Sequence, residues 1–168
     1  MFVLGIDPGL SRCGYGAVTG GPRPHAVAAG VLTTPRDEPL PDRLAALDLE
    51  VRQLLAELRP DAVAVERVFF QTNVRTAMSV GQASGLVLAA AAQSGAEVAQ
   101  YTPNEVKQAV AGFGAAPKEQ VQRMVQSLLG LTERPRPADA ADALALALCH
   151  LASAPLARRV ARTAGGGR

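Results

Sequence analysis

Two cysteines, two lysines and six aromatic residues are all that this 168-residue chain holds of those types, and each scarcity excludes something. Cys13 and Cys149 stand far apart with no Cys-x-x-Cys spacing. A disulfide framework is therefore excluded, and a reducing, cytoplasmic setting with both cysteines as packing residues is expected. Long apolar runs are missing too. The longest is Gly85 to Ala92, far short of the ~20 residues that span a bilayer, and the chain does not open on a basic stretch of the secretory kind. No membrane partner is expected. Internal repeats and interdomain linkers are absent, so one domain with its own core is expected over 1–155.

Phosphate-loop chemistry is also missing. Gly9 and Gly14 have the glycine spacing of a P-loop, but Tyr15 and Gly16 stand where Lys and Ser or Thr are required. Gly14-Tyr15-Gly16 falls inside a strand-like run rather than ahead of a helix, which argues against a dinucleotide fingerprint. These glycines read instead as places where another backbone comes close, near Asp7.

The formal charge of +2 conceals an asymmetry. Residues 1–150 hold 13 basic and 15 acidic side chains, a net −2, while Arg158, Arg159, Arg162 and Arg168 add +4. Segment 156–168 reads by composition as a disordered Arg/Gly-rich tail. If four of the acids bound two divalent cations, the body would also become positive, which permits a polyanionic partner without demanding one.

Hydrophobic patterning sets the element order. Three strands, Phe2 to Ile6, Cys13 to Val18 and His25 to Leu32, are joined by turns too short for anything but an antiparallel meander. An amphipathic helix from about Pro41 to Leu58 places Leu44, Leu47, Val51, Leu54, Leu55 and Leu58 on one side. A fourth strand, Ala62 to Glu66, leads through a loop, Arg67 to Asn73, into a small-residue helix ending near Ser94. A fifth strand, Glu97 to Tyr101, precedes helices starting near Pro103, Pro117 and Ala138. By analogy of element order this is an α/β chain of the ribonuclease H-like fold: a five-stranded mixed sheet, three antiparallel strands plus two parallel, flanked by helices.

Asp7 and Glu66 each close a short apolar run, as carboxylates at the carboxyl ends of buried strands would, where open α/β sheets bind ligands. Asp139 and Asp142, at i and i+3, share one face of a helix's first turn. Taken singly, Asp7 reads as a turn residue before Pro8-Gly9 and the two aspartates as ordinary helix starters. Brought together, bare carboxylates about 4 Å apart repel by roughly 4 kcal/mol at an effective dielectric near 20. Such a cluster calls for protons or for a hard cation, Mg²⁺ or Mn²⁺.

Phe69 and Phe70 lie side by side just after Glu66. One of them suits the core and the other a stacking surface for an unpaired base, with nothing to say which. Both lysines, Lys107 and Lys118, fall in the stretch expected near the same end of the sheet and suit single phosphate contacts, as do Arg67 and Arg75 beside the aromatic pair. His25 and His150 have no ligand-spaced partner and read as structural. The small-residue helix, with Gly81 and Gly85 one turn apart, admits either burial within the monomer or a symmetric dimer interface.

Four segments in register, Gly5-Ile6-Asp7-Pro8-Gly9, Val65-Glu66-Arg67-Val68-Phe69, Glu105-Val106-Lys107-Gln108 with Lys118-Glu119-Gln120-Val121, and Ala138-Asp139-Ala140-Ala141-Asp142-Ala143-Leu144, closely resemble the RuvC family of Holliday-junction resolvases. The resemblance implies a homodimeric endodeoxyribonuclease that binds a four-way DNA junction. It implies symmetric nicks in two opposed strands, leaving 5′-phosphate and 3′-hydroxyl ends, with two Mg²⁺ per subunit for which Mn²⁺ substitutes. The family's catalytic, metal-binding acids carry over onto Asp7, Glu66, Asp139 and Asp142, its functional lysines onto Lys107 and Lys118, and its junction-probing phenylalanine onto Phe69. Cooperation with the RuvA and RuvB branch-migration proteins is likewise implied by the resemblance alone.

Overall fold

Strands buried on both faces need apolar residues in unbroken runs, and two short runs of the chain supply them. In β1 (Phe2–Asp7) Val3 packs on one face and Leu4 and Ile6 on the other. A computed structural model describes the chain over residues 1–67 and 74–164, with backbone alone at 74–76 and 155–164. β2 (Arg12–Thr19) and β3 (His25–Thr33) follow as the antiparallel meander, and α1 (Leu40–Leu58) and β4 (Ala62–Glu66) come next. In β4, Ala62 and Ala64 face the side of Val3 while Val63 and Val65 face that of Leu4. α2 (Val74–Gln93), β5 (Glu97–Tyr101), α3 (Pro103–Ala111), α4 (Lys118–Leu128) and α5 (Ala138–Ala164) complete the order.

The five strands run β3-β2-β1-β4-β5 across one sheet, with β1, β4 and β5 parallel and β2 and β3 antiparallel to their neighbours. This is the mixed sheet expected from the sequence, and the fold is ribonuclease H-like. After β3 the chain returns to the far side of β1, so the strand order reverses between β1 and β4. A crevice outside the strand ends at such a switch point is where ligands bind in sheets of this kind. Asp7 and Glu66 stand at those two ends.

Helices cover both faces. Leu47, Val51 and Leu55, at helical spacing on α1, are buried with Ala83, Val87 and Ala91 of α2 against Leu4, Ile6, Val63 and Val65. Each buried leucine, isoleucine or valine among them contributes about 1.5–3 kcal/mol. On the opposite face α3, α4 and α5 bury Val106, Val110, Val121, Val125, Leu144 and Leu146. Both cysteines are buried and free. Among the described residues no helix is long and apolar enough to cross a membrane.

What aims α5 at the sheet's edge is a set of missing side chains. Gly5 and Gly16 are register partners on β1 and β2, and Gly14 is the partner of Asp7. A Cβ on Gly16 would lie 2.7 Å from the Leu144 nitrogen, and one on Gly5 or Gly14 would run into the carbonyls of Ala143 and Asp139. α5 therefore lies directly on the sheet backbone, and its first turn reaches the edge beside Asp7. The close approach expected at Gly14 and Gly16 is thus made by α5, and that at Gly9 by the backbone of Arg12. Its backbone continues to Ala164, into the segment whose composition reads as tail.

Candidate active site

Each acid arrives by a different piece of local structure. Asp7 is the last residue of β1, and the loop after it is pinned from α1: Arg43 donates to the Ser11 hydroxyl at 2.7 Å and to Thr34 Oγ1 at 3.1 Å, while Thr34 donates to the Leu10 carbonyl at 2.6 Å. Glu66 ends β4 opposite Tyr101 of β5. The Arg67 N–H donates to the Tyr101 carbonyl at 2.8 Å, which carries the pairing one residue beyond the acid. Asp139 comes from the first turn of α5 and Asp142 from the start of the second.

Asp7 feels the other three acids. Burial first, then the charge of Glu66, then those of Asp142 and Asp139, push the Asp7 carboxyl up from 3.8 to about 7. Glu66 is also raised, chiefly by burial, with Asp142 adding to the rise and the ammonium groups of Lys118 and Lys107 opposing it. Asp7 and Glu66 stand close enough to share a proton. Burial and crowding with other acids favour the protonated form of both.

The two aspartates of α5 have found cations of their own. Arg12 donates from Nε at 3.0 Å and from Nη2 at 2.7 Å, both to Asp139 Oδ2. Lys118 Nζ donates to Asp142 Oδ2 at 2.6 Å. Lys118 is held protonated above its ordinary range, with that hydrogen bond the main cause. Among the described residues no three His, Cys, Asp or Glu side chains stand as a ready metal cage; Asp139 is turned to Arg12 and Asp142 to Lys118. The donor chemistry nonetheless fits a hard divalent cation: oxygen ligands only, two of them raised by burial and crowding that a cation would relieve.

Beside the acids a cleft of about 220 Å³ is lined by Glu66, Lys107, Lys118 and Asp142, with Pro103, Val106, Val121 and Leu146 as its apolar wall. The sequence expectation that Lys107 and Lys118 approach this end of the sheet is thus met. α3 holds Lys107 in place through a capping box: Thr102 Oγ1 accepts from the Glu105 N–H at 3.2 Å and the Glu105 carboxylate accepts from the Thr102 N–H at 2.7 Å. Arg67 is exposed at the same edge, and its charge reaches Glu105. Arg75 is the second residue of α2, its side chain outside the described residues, as are Phe69 and Phe70 entirely.

Arg12 is the site residue that sequence reasoning missed. The signal was there: Arg12, Gly14 and Gly16 alternate along β2 on the face that α5 covers, so the one side chain among them must meet the start of α5. Cys13, pointing the other way, has its thiol pushed up to about 12, mainly by burial. It is a packing residue, not a nucleophile.

The family model described as crossover junction endodeoxyribonuclease RuvC matches residues 3–150. The chain belongs to this family. A RuvC of Moorella thermoacetica bearing that name is 53% identical over 166 residues, covering 98% of this chain and 99% of the relative. Among solved structures, RuvC of Thermus thermophilus superposes with a TM-score of 0.86 at 43% identity, covering 94% of this chain and 97% of that one. The same protein in complex with a Holliday junction substrate gives 0.85 at 40% identity, covering 93% and 96%. The family match spans the whole described site, from Asp7 to Asp142.

Proposed function

We propose that this protein is a metal-dependent, structure-selective endodeoxyribonuclease that resolves four-way DNA junctions in recombination and repair. The reading is carried by one observation: Asp7 is raised by burial and by the charges of Glu66 on β4 and of Asp142 and Asp139 on α5, in a family whose members are named crossover junction endodeoxyribonucleases. Asp7, Glu66, Asp139 and Asp142 are the catalytic acids and would hold two Mg²⁺ per subunit, with Mn²⁺ able to substitute. Bound there, the cations would supply an activated water and charge stabilisation for the departing 3′ oxygen, giving 5′-phosphate and 3′-hydroxyl ends.

The chain's own residues do the rest. Lys118, protonated and next to Asp142, supplies positive charge where negative charge develops on the phosphate. Lys107, Arg67 and Arg75 hold the backbone, which positions the strand without reading its sequence. Phe69 or Phe70 stacks on an unpaired base at the branch point.

Two such sites in a homodimer would cut both opposed strands, where a lone monomer would leave half-cut junctions. The dimer face we assign is that of α2. A Cβ at Gly81 or Gly85 would meet nothing within 4 Å, and Met78 stands 60% exposed nearby. Cooperation with RuvA and RuvB, a cytoplasmic location, and a domain spanning 1–155 with 156–168 as its tail complete the reading.

The test is a synthetic four-way junction incubated with wild type and Asp7→Asn in Mg²⁺, read on denaturing gels and in a binding assay. Paired nicks in opposed strands, lost in the variant while binding persists, are expected. Binding without nicks by wild type in both Mg²⁺ and Mn²⁺ would replace the nuclease with a non-catalytic junction binder.

A further inference from the structure

Arg12 does more than fill space. It sits at the start of β2, on the face that α5 covers, and reaches a residue 127 positions away in sequence. Both of its donors fall on the same oxygen, Asp139 Oδ2. Its side chain is still 46% exposed, at the rim where the acids meet solvent. Arg12 is therefore a cation parked on a carboxylate, with an open way outward.

Charge balance gives the pair its meaning. Four bare carboxylates at one sheet edge would repel strongly, and Asp139 and Asp142 are each met by one internal cation. Lys118 lines the cleft with Glu66 and Lys107, whereas Arg12 is not part of that lining and approaches Asp139 from β2. A divalent cation taking Asp139 would bring two charges where Arg12 brings one. It would leave the guanidinium without its partner, at the mouth of a site that takes a phosphodiester.

We propose that Arg12 is the resident counter-cation of Asp139, and that loading the site with divalent cations frees its guanidinium to bind a phosphate of the DNA substrate. This rests on the metal-dependent reading above and adds to it a link between metal and DNA binding through a single side chain. Guanidinium suits both partners, because its fork matches carboxylate and phosphate alike.

The test uses the full chain and two variants, Arg12→Gln and Arg12→Lys, with Mn²⁺ binding followed by electron paramagnetic resonance in the absence of DNA. Exchange predicts that Arg12→Gln binds Mn²⁺ about two- to fivefold more tightly than wild type, the span that an exposed ion pair is worth. Arg12→Lys, which keeps the charge, should stay near wild type. A second readout is junction affinity against salt in Ca²⁺. There Arg12→Gln should lower the slope of log affinity on log salt by about 0.9, one phosphate contact on duplex DNA, with the two proteins alike in EDTA. Unchanged or weaker Mn²⁺ binding by Arg12→Gln, or an unchanged slope, would overturn the exchange and leave Arg12 as a structural tie. Wild type that binds no Mn²⁺ would instead overturn the metal reading itself.

Discussion

Asp7 and Glu66 end neighbouring parallel strands and stand close enough to share a proton. In the folded chain Asp7 keeps its proton to about pH 7, against 3.8 for the ordinary side chain. The folded state therefore binds more protons than the unfolded state across that window, and stability falls as pH rises through it. In EDTA the melting temperature should decline between about pH 4 and 7. Asp7→Asn, which cannot ionise, should flatten the decline and stabilise the metal-free protein at pH 8 by about 1–3 kcal/mol. Because a protonated acid is a poor ligand, Mn²⁺ affinity should rise over the same interval. Melting curves flat with pH in wild type would remove the shared proton from the site.

The glycines of the sheet and those of α2 look alike in the sequence and differ in what surrounds them. Gly16→Ala would put a Cβ 2.7 Å from the Leu144 nitrogen, a backbone atom that cannot swing away. Overpacking of this kind costs about 1–3 kcal/mol or more, and it lifts the end of α5 that carries Asp139 and Asp142. Nicking should suffer beyond the loss of stability. Gly85→Ala has open space around it, and relief of helix-interior glycine is worth about 0.5–1 kcal/mol. The monomer should gain that stability while the dimer weakens if this face meets a second copy. Sedimentation together with denaturant melts separates the two effects, and a Gly85→Ala dimer as tight as wild type would move the interface elsewhere.

How far the sequence carried can be judged from particular residues. Asp7 and Glu66 were legible because strands buried on both faces leave an unbroken apolar run, and an acid that ends one must sit at the sheet's edge. Asp139 and Asp142 were legible as a pair from their i,i+3 spacing. The element order was legible as well, since turn chemistry and periodicity both mark boundaries. Arg12 was not, because its role depends on which strand face α5 covers, a tertiary fact written only in the alternation of Gly14 and Gly16. The pairing of Lys118 with Asp142 was hidden for the same reason. Each looked like a separate candidate for phosphate or for metal, and their mutual contact is decided by how α4 lies beside α5. Phe69 and Phe70 fall outside the described residues, so the choice between them stays with the stacking proposal.

Thr102 offers a test of how Lys107 is held. Its capping box satisfies two backbone donors at the start of α3, and replacing a capping Thr by Ala typically costs about 1 kcal/mol. Thr102→Ala should therefore lower stability by about that amount. Lys107 sits in the second turn of the same helix, so junction binding should weaken as well. Thr102→Ser, which keeps the acceptor, should restore both. Hydrogen exchange at the first turn of α3 is the direct check: exchange there should speed up in Thr102→Ala by more than the general rise that the lost stability brings to the core.

Lys118 separates function from stability. Its ion pair with Asp142 is short at 2.6 Å, yet the lysine side chain is 59% exposed, and pairs in such surroundings are worth about 0–1 kcal/mol. Lys118→Ala should thus melt within a few degrees of wild type. If the ammonium stabilises charge developing on the phosphate, the same substitution should lower the single-turnover nicking rate by about 100-fold or more, with junction affinity only modestly reduced. A lysine that merely balances Asp142 would give the opposite pattern: nicking nearly intact, and divalent-cation binding tightened by removal of a competing charge. The single-turnover rate at saturating Mg²⁺ therefore decides whether Lys118 acts on the substrate or on the acid beside it.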